Sequence, residues 1–383
     1  MLLPTLPQSP LQAGAARHED VAVPLTLTPR WAFVSRLAAA AALAGLLLAP
    51  AIARAVEPMN GAGSSAAHPV YRIWAEQYKK AGGADLAYDP AGSSAGLQRI
   101  RSRQVDFGAT DVAPKSEDLA RDGLVLFPTV ITGVVPVVNL PKVDGGRLVL
   151  TGEVLARIFA GEVAHWDAPE IRALNPGLAL PAKPIAVVVR SDGSGTTYNF
   201  SDYLAKVSPA WKQKLGVGTA IKWPAGVVPA KGSKGVVEAV QATPASIGYV
   251  DYNYVVENKL KPVALKNAEG AVVEAGPQTF HNALLQSAWM QGGDFTQTLT
   301  NLPGRDSWPI TMGTFVVMPR VADKPASAMP VIRFFTWAFL HGDDLAKQVN
   351  FVRLPTTIQA KSYRAIASIV DRNGAPIGVG ALR

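Results

Sequence analysis

The chain has 383 residues, of which 48% are hydrophobic and 17% charged, enough apolar content for a large core and too much for global disorder. Its formal net charge is +8, but Lys79-Lys80 and Arg99-Ile100-Arg101 are only local groups, so the dense basic cluster that nucleic acid requires is missing. Cysteine is absent, which excludes disulfides, thiolate metal sites, a cysteine nucleophile and a lipidated cysteine.

Residues 1–55 read as a signal peptide with an N-terminal extension. Arg30 and Arg36 precede a continuous apolar run from Leu37 to Ala49, and Ala53-Arg54-Ala55 supplies an A-x-A cleavage site. The run is shorter than the roughly 20 residues of a membrane span, so cleavage is expected rather than a retained anchor helix. Residues 1–29, long and Pro-rich, fit a translation start placed too early. This leader carries Arg17, Arg30, Arg36 and Arg54 against Glu19 and Asp20, so it supplies +2 of the charge and leaves +6 for the rest. That remainder is ordinary solubility charge with a mild field for small anions. A cleavable leader without cysteine implies a soluble product in a bacterial periplasm.

In the mature region strand and helix patterns alternate. Val70, Ile73, Trp74 and Tyr78 mark a helix after the Gly/Ser segment 61–65, and Leu97 and Ile100 mark another after Gly92-Ser93-Ser94. Val105 to Ala109 is a short buried strand leading to Asp111. Val130 to Leu140 is a long β-branched stretch interrupted at Pro136, and Val154 to Phe159 is helical. Ile185–Val189 is a core strand, after which Phe200, Tyr203 and Leu204 recur at helical spacing. Gly226–Gly235 and Gly270–Pro277 read as surface loops. Ile247–Val250 and Phe315–Met318 are strands, and Val331–Leu340 is an apolar helix. This alternation predicts an α/β fold with mostly parallel sheets.

Three helix starts share one design. Gly61-Ala62-Gly63-Ser64-Ser65, Gly92-Ser93-Ser94-Ala95-Gly96 and Arg190-Ser191-Asp192-Gly193-Ser194-Gly195-Thr196 each place small residues before a helix. Any one of them is explained by capping. Three converging N-termini would instead surround an anion with neutral N–H donors and partial positive charge. Arg190 adds a permanently charged fork, and Asp192 is placed to orient it. Asp111 falls at the C-terminal end of a strand, where open α/β sheets bind ligands. A carboxylate beside an anion makes sense if the anion carries a proton for it to accept. A fully ionised oxyanion would then meet repulsion and an unpaired acceptor.

These stretches, with Phe127-Pro128-Thr129-Val130 and Trp308-Pro309-Ile310-Thr311, occur in an order and spacing that resemble the periplasmic phosphate-binding proteins of phosphate ABC transporters, the PstS family. The resemblance runs from about residue 60 to beyond 310. It implies a type II periplasmic-binding-protein fold, two α/β domains joined by a two-strand hinge near Pro128–Val137 and Trp308–Phe315. Residues 56–130 and 310–383 would form one domain and 131–309 the other. It further implies a phosphate site at Ser64, Ser65, Ala66, Ser93, Asp111, Arg190, Ser194, Gly195 and Thr196. By the same resemblance the protein is a monomeric carrier without cofactor, delivering inorganic phosphate to an inner-membrane ABC permease. One departure stands out. Ser65-Ala66-Ala67 replaces a common Thr-Phe-Pro, so Ala66 keeps the backbone donor and loses a shielding ring that His68 or another side chain would have to replace.

Rival patterns fit less well. Gly61-Ala62-Gly63-Ser64-Ser65-Ala66 matches a dinucleotide fingerprint with Asp85 downstream, but only Val56–Asn60, with Pro58 inside, is available as the preceding strand. Ser194 as a hydrolase nucleophile lacks the elbow motif, because Asp192 and Thr196 stand at its glycine positions, and His281 and His341 have no distinctive context. A Walker A lysine and metal-spaced histidines are absent from the sequence. Another tetrahedral oxyanion, sulfate or molybdate, is the remaining alternative, and Asp111 argues against a ligand without a proton.

Overall fold

The computed structural model describes residues 58–378, so the expected signal peptide and its cleavage site lie outside the described residues. The architecture is built on β4, Leu124–Val138, a 15-residue strand that is buried along almost its whole length. Its composition explains this: Val, Ile and Leu crowd both faces, which suits a strand covered on each side. It pairs antiparallel with β8, Thr311–Pro319. Together the two form the centre of a nine-stranded sheet.

On one flank lie β1 (Met59–Gly63), β2 (Leu86–Asp89) and β3 (Phe107–Thr110), in the order β2-β1-β3-β8, with β1 parallel to both neighbours. On the other lie β5 (Ala186–Arg190), β6 (Val228–Ala230) and β7 (Ser246–Asp251), in the order β4-β7-β5-β6, again parallel among themselves. The expected parallel sheet is therefore present as two parallel flanks, separated by antiparallel ladders that β8 and β4 make with each other and with β3 and β7. The two stretches that the resemblance assigns to a hinge fall on β4 and on the start of β8.

Helices α1 (His68–Lys80) and α2 (Ser93–Arg101) follow β1 and β2, while α3 (Gly195–Val207), α4 (Gly232–Ala242) and α5 (Tyr252–Glu257) follow β5, β6 and β7. Each begins just beyond the C-terminal end of a strand. Three antiparallel ladders separate the flanks, so their strands run in opposite directions, and the ends of β3, level with Pro128, and of β7, level with Val134, point toward each other along β4. Helix α6, Pro325–His341, covers the first flank with Phe334 and Phe335 buried. Phe335 meets Tyr71, Phe107 and Phe127 edge to face at 5.2–5.7 Å, a geometry that favours aromatic pairs.

Two local features shape the site. First, the register of β4 and β8 shifts between Thr314 and Phe315, so that Thr314 faces Val130 and Phe315 faces Pro128. Pro128 has no N–H for the ladder and sits where the ladder is interrupted. The extra residue, Thr129, donates its hydroxyl to the Thr314 carbonyl at 3.1 Å, and the bulge sends the Thr314 side chain toward the strand ends. Second, α2 lies directly on β1 and β3. A Cβ on Gly96 would come within 2.6–2.7 Å of the Gly63 Cα and of the Ala62 and Ala109 carbonyls, so only glycine permits this approach.

Two sequence expectations are corrected. Gly61-Ala62-Gly63, expected as part of a helix start, is the end of β1, which also removes the dinucleotide reading, since its first two glycines lie inside the strand. Gly226–Gly235 is not a surface loop, because it contains β6 and the start of α4, with Ser233 buried. The apolar, proline-bearing sequence Val227-Val228-Pro229 hides a short edge strand from a periodicity argument. In the second such stretch, Gly270–Pro277, Val272–Val273 pairs antiparallel with Ala264–Lys266.

Candidate anion site

Asp111 follows β3 and is buried, with 4% of its surface exposed. Hydroxyls converge on its carboxylate. Ser64 Oγ donates to both oxygens at 2.7 and 2.8 Å, Thr314 Oγ1 to Oδ1 at 2.6 Å, and Ser93 Oγ to Oδ2 at 3.2 Å. Ser93 Oγ also accepts the Asp111 N–H at 3.1 Å. Burial pushes the Asp111 carboxyl up from its ordinary value. The hydroxyls of Thr314, Ser64 and Ser93 and the charge of Arg190 oppose this. Ser64 has one hydroxyl proton shared between Oδ1 and Oδ2, so three hydroxyl protons meet the carboxylate's roughly four acceptor positions, and a further O–H fits once Ser64 settles on one oxygen.

The chain between β1 and α1 presents Ser65 and Ala66. Their carbonyl side is occupied, because Tyr88 Oη donates to the Ser64 carbonyl at 2.7 Å and Tyr254 Oη to the Ser65 carbonyl at 2.9 Å. Their backbone N–H groups find no acceptor among the described residues. Ala66 is completely buried despite its missing ring. His68 stacks on Tyr88 with centroids 6.1 Å apart, which braces the tyrosine that holds this segment.

The opposing wall is the start of α3. Ser194 is its N-cap and accepts the Thr197 N–H at 3.1 Å, while the N–H groups of Gly195 and Thr196 have no intrahelical acceptor. This wall touches the first. Asn199 donates to the Asp111 carbonyl at 2.9 Å, and the Ser94 N–H donates to the Gly193 carbonyl at 3.1 Å. Arg190, with 4% exposed, ends β5 and forms a fork with Asp192: Nε to Oδ1 at 2.8 Å and Nη2 to Oδ2 at 2.5 Å. Burial works against the Asp192 charge, but the Arg190 hydrogen bonds prevail and hold its carboxyl below the usual range. With those two positions taken, the remaining guanidinium edge has no protein acceptor among the described residues.

Four residues absent from the sequence reading complete the site. Asp251 closes β7, is 0% exposed, and accepts Ser233 Oγ at 2.6 Å and Thr196 Oγ1 at 3.1 Å. Ser233 Oγ lies 2.9 Å from Ser65 Oγ, and the Ser233 N–H reaches Ser65 Oγ at 3.3 Å. Thr314 and Asn199 are the other two. Asp251 carries the signal that identified Asp111, an acid ending a buried strand, and Ser233 carries the Gly-Ser helix start of its companions.

The nine residues expected at the site are thus brought together. Ser64, Ser93, Asp111 and Thr196 join hydroxyl–carboxylate networks, Ser65 bonds across to Ser233, and Arg190 is held by Asp192. Ser194 caps α3, and among the described residues no histidine is hydrogen-bonded to it. Unpartnered N–H groups, a fixed guanidinium and a buried acceptor make up a candidate anion site at facing strand ends, on the α/β fold of a periplasmic binding protein.

Comparison with known proteins agrees. The family model of the PBP superfamily domain matches residues 49–317. The phosphate-binding protein PstS of Haemophilus influenzae is 42% identical over 78% of this chain and 90% of its own length, and that of Xylella fastidiosa (strain Temecula1) is 41% identical over 80% and 85%. The crystal structure of a phosphate-binding protein from Stenotrophomonas maltophilia superposes with a TM-score of 0.62 at 18% identity, covering 83% of this chain and 99% of that one, which shows the shared type II fold. The chain belongs to the PstS family of phosphate-binding proteins.

Proposed function

We propose that this protein is a periplasmic carrier that encloses inorganic phosphate and delivers it to an inner-membrane ABC permease, acting as a monomer, without cofactor and without chemical turnover. The observation that carries this reading is the Asp111 carboxylate. It is buried among three hydroxyl donors, takes a further O–H once Ser64 settles on one oxygen, and shares the site with Arg190 and the free N–H groups of Ser65, Ala66, Gly195 and Thr196. A protonated tetrahedral oxyanion satisfies all of these groups at once. Residues 56–130 with 310–383 would form one lobe and 131–309 the other, closing about β4 and β8. Calorimetric titration of the mature protein should give binding heat with phosphate and arsenate and none with sulfate. Heat with sulfate, or turnover of a phosphoester, would refute the assignment.

The contact between the walls supplies a separate prediction. A Cβ on Gly195 would lie 2.5 Å from Ser93 Oγ and 2.6 Å from the Asp111 Cβ, on the other side of the site. Gly195→Ala should therefore hold the lobes apart and weaken phosphate binding by more than about tenfold, since overpacking costs roughly 1–3 kcal/mol. The thermal midpoint of the ligand-free protein should hardly move. A large drop in that midpoint would instead mean that the clash lies within one lobe.

A further inference from the structure

The hydrogen bonds around Asp251 run in one direction, and that direction has a consequence for the anion. Ser233 has a single hydroxyl proton, and it is spent on Asp251 Oδ2 at 2.6 Å. At the 2.9 Å contact between the two serines, Ser65 must therefore be the donor. Its lone pair receives the Ser233 N–H. Thr196 likewise gives its proton to Asp251 Oδ1. So while Asp251 is ionised, the hydroxyls of Ser65 and Thr196 point away from the anion, and only their backbone N–H groups remain for it.

We propose that Asp251 is a positioning residue that couples phosphate capture to uptake of a proton, through reversal of the Asp251–Ser233–Ser65 hydrogen-bond chain. When a proton from bulk water settles on Oδ2, Asp251 donates to Ser233 Oγ. Ser233 then turns its own hydrogen to Ser65 Oγ, and Ser65 is released to donate to the anion. No bond other than the new O–H forms, and one negative charge leaves the site. The groups facing Asp251 make this switch accessible. Arg190 at the end of β5 favours the ionised form, but it is already paired with Asp192, whose Oδ1 also takes the Gly232 N–H beside Ser233. Asp111 at the end of β3 opposes ionisation, and Tyr254 on α5 and Tyr249 on β7 are neutral phenols whose own titration burial pushes up. Burial, followed by the Asp111 charge, raises the Asp251 carboxyl to about 6. A bound anion adds a second like charge and raises it further.

The proposal rests on the phosphate reading and is tested beside it. Phosphate is titrated into the wild type and Asp251→Asn from about pH 8 to pH 5.5, in buffers of different ionisation enthalpy. The asparagine is uncharged and can donate to Ser233, so it imitates the protonated form. It should bind about tenfold more tightly than the wild type at the upper pH, with the two converging at the lower, because each unit by which the anion raises the carboxyl is a factor of ten. Near pH 7 the wild type should take up more protons per phosphate than the variant. Parallel profiles with equal proton counts overturn the proposal and leave phosphate binding intact. A wild type that binds no phosphate at any pH overturns both. If Asp251→Asn fails to fold by circular dichroism, Ser65→Ala decides. It should lose about tenfold more affinity at pH 5.5 than at pH 8, and an equal loss at both overturns the proposal.

Discussion

Arg190→Ala is expected to lower phosphate affinity on the order of a thousandfold. Breaking a buried charge pair by removing one partner costs about 3–5 kcal/mol, and each 1.4 kcal/mol is a factor of ten. Here the cost falls on more than one group. Arg190 holds Asp192 through two hydrogen bonds, and its charge also acts on Asp111 and Asp251. Without the guanidinium, three carboxylates would confront the incoming anion with no cation beside them. Arg190→Lys keeps the charge but cannot hold both Asp192 oxygens, so its loss should be intermediate. Titration calorimetry decides the point. An alanine variant that stays within about tenfold of the wild type would mean that the guanidinium supports Asp192 and does little for the anion.

The second large effect concerns selectivity. Asp111→Asn should raise sulfate binding from undetectable to measurable and reduce phosphate affinity, shrinking the ratio between them by at least about a hundredfold. A site built to hydrogen-bond a ligand O–H rejects the analogue lacking it by roughly 10⁴–10⁵, because a buried acceptor is then left unpaired. The asparagine amide removes that penalty by offering sulfate an N–H. It also leaves only one oxygen for the hydroxyls of Ser64, Ser93 and Thr314, so some loss of stability should accompany the change, about 1–3 kcal/mol for each hydroxyl left without an acceptor. Competition of phosphate and sulfate on the folded variant separates the two effects. Unchanged phosphate affinity with sulfate still excluded would assign the discrimination to another group.

Much of this was legible in the sequence, for physical reasons that also explain what was not. Buried strands with acids or Gly/Ser turns at their ends announce themselves locally, so β3 with Asp111 and β5 with Arg190 and Asp192 were readable from periodicity and spacing. Two participants depend on contacts far along the chain. Thr314 reaches Asp111 because a bulge opposite Pro128 redirects it, and Ser65 meets Ser233 across 168 positions. Neither contact leaves a local pattern. Asp251 and Ser233 did leave one, but the first lay just past a strand already assigned, and the second sat in a stretch whose glycines and prolines resembled a surface loop. The departure at Ala66 pointed to a gap, and the tyrosine hydroxyls that hold the carbonyls on either side of Ser65 could not be inferred from the sequence at all.

The buried Asp111 and Asp251 and the half-buried Asp192 outnumber Arg190, so an anion is not drawn into this site by an excess of positive charge. In the proposed site it would be held by N–H groups and one guanidinium edge over hydrogen-bond contacts of about 3 Å, well inside the Debye length of roughly 8–10 Å at ordinary ionic strength. Dissolved ions screen long-range attraction and leave such enclosed contacts almost untouched. Capture by this protein is therefore governed by shape and proton count, and should work much the same in dilute and in salty surroundings.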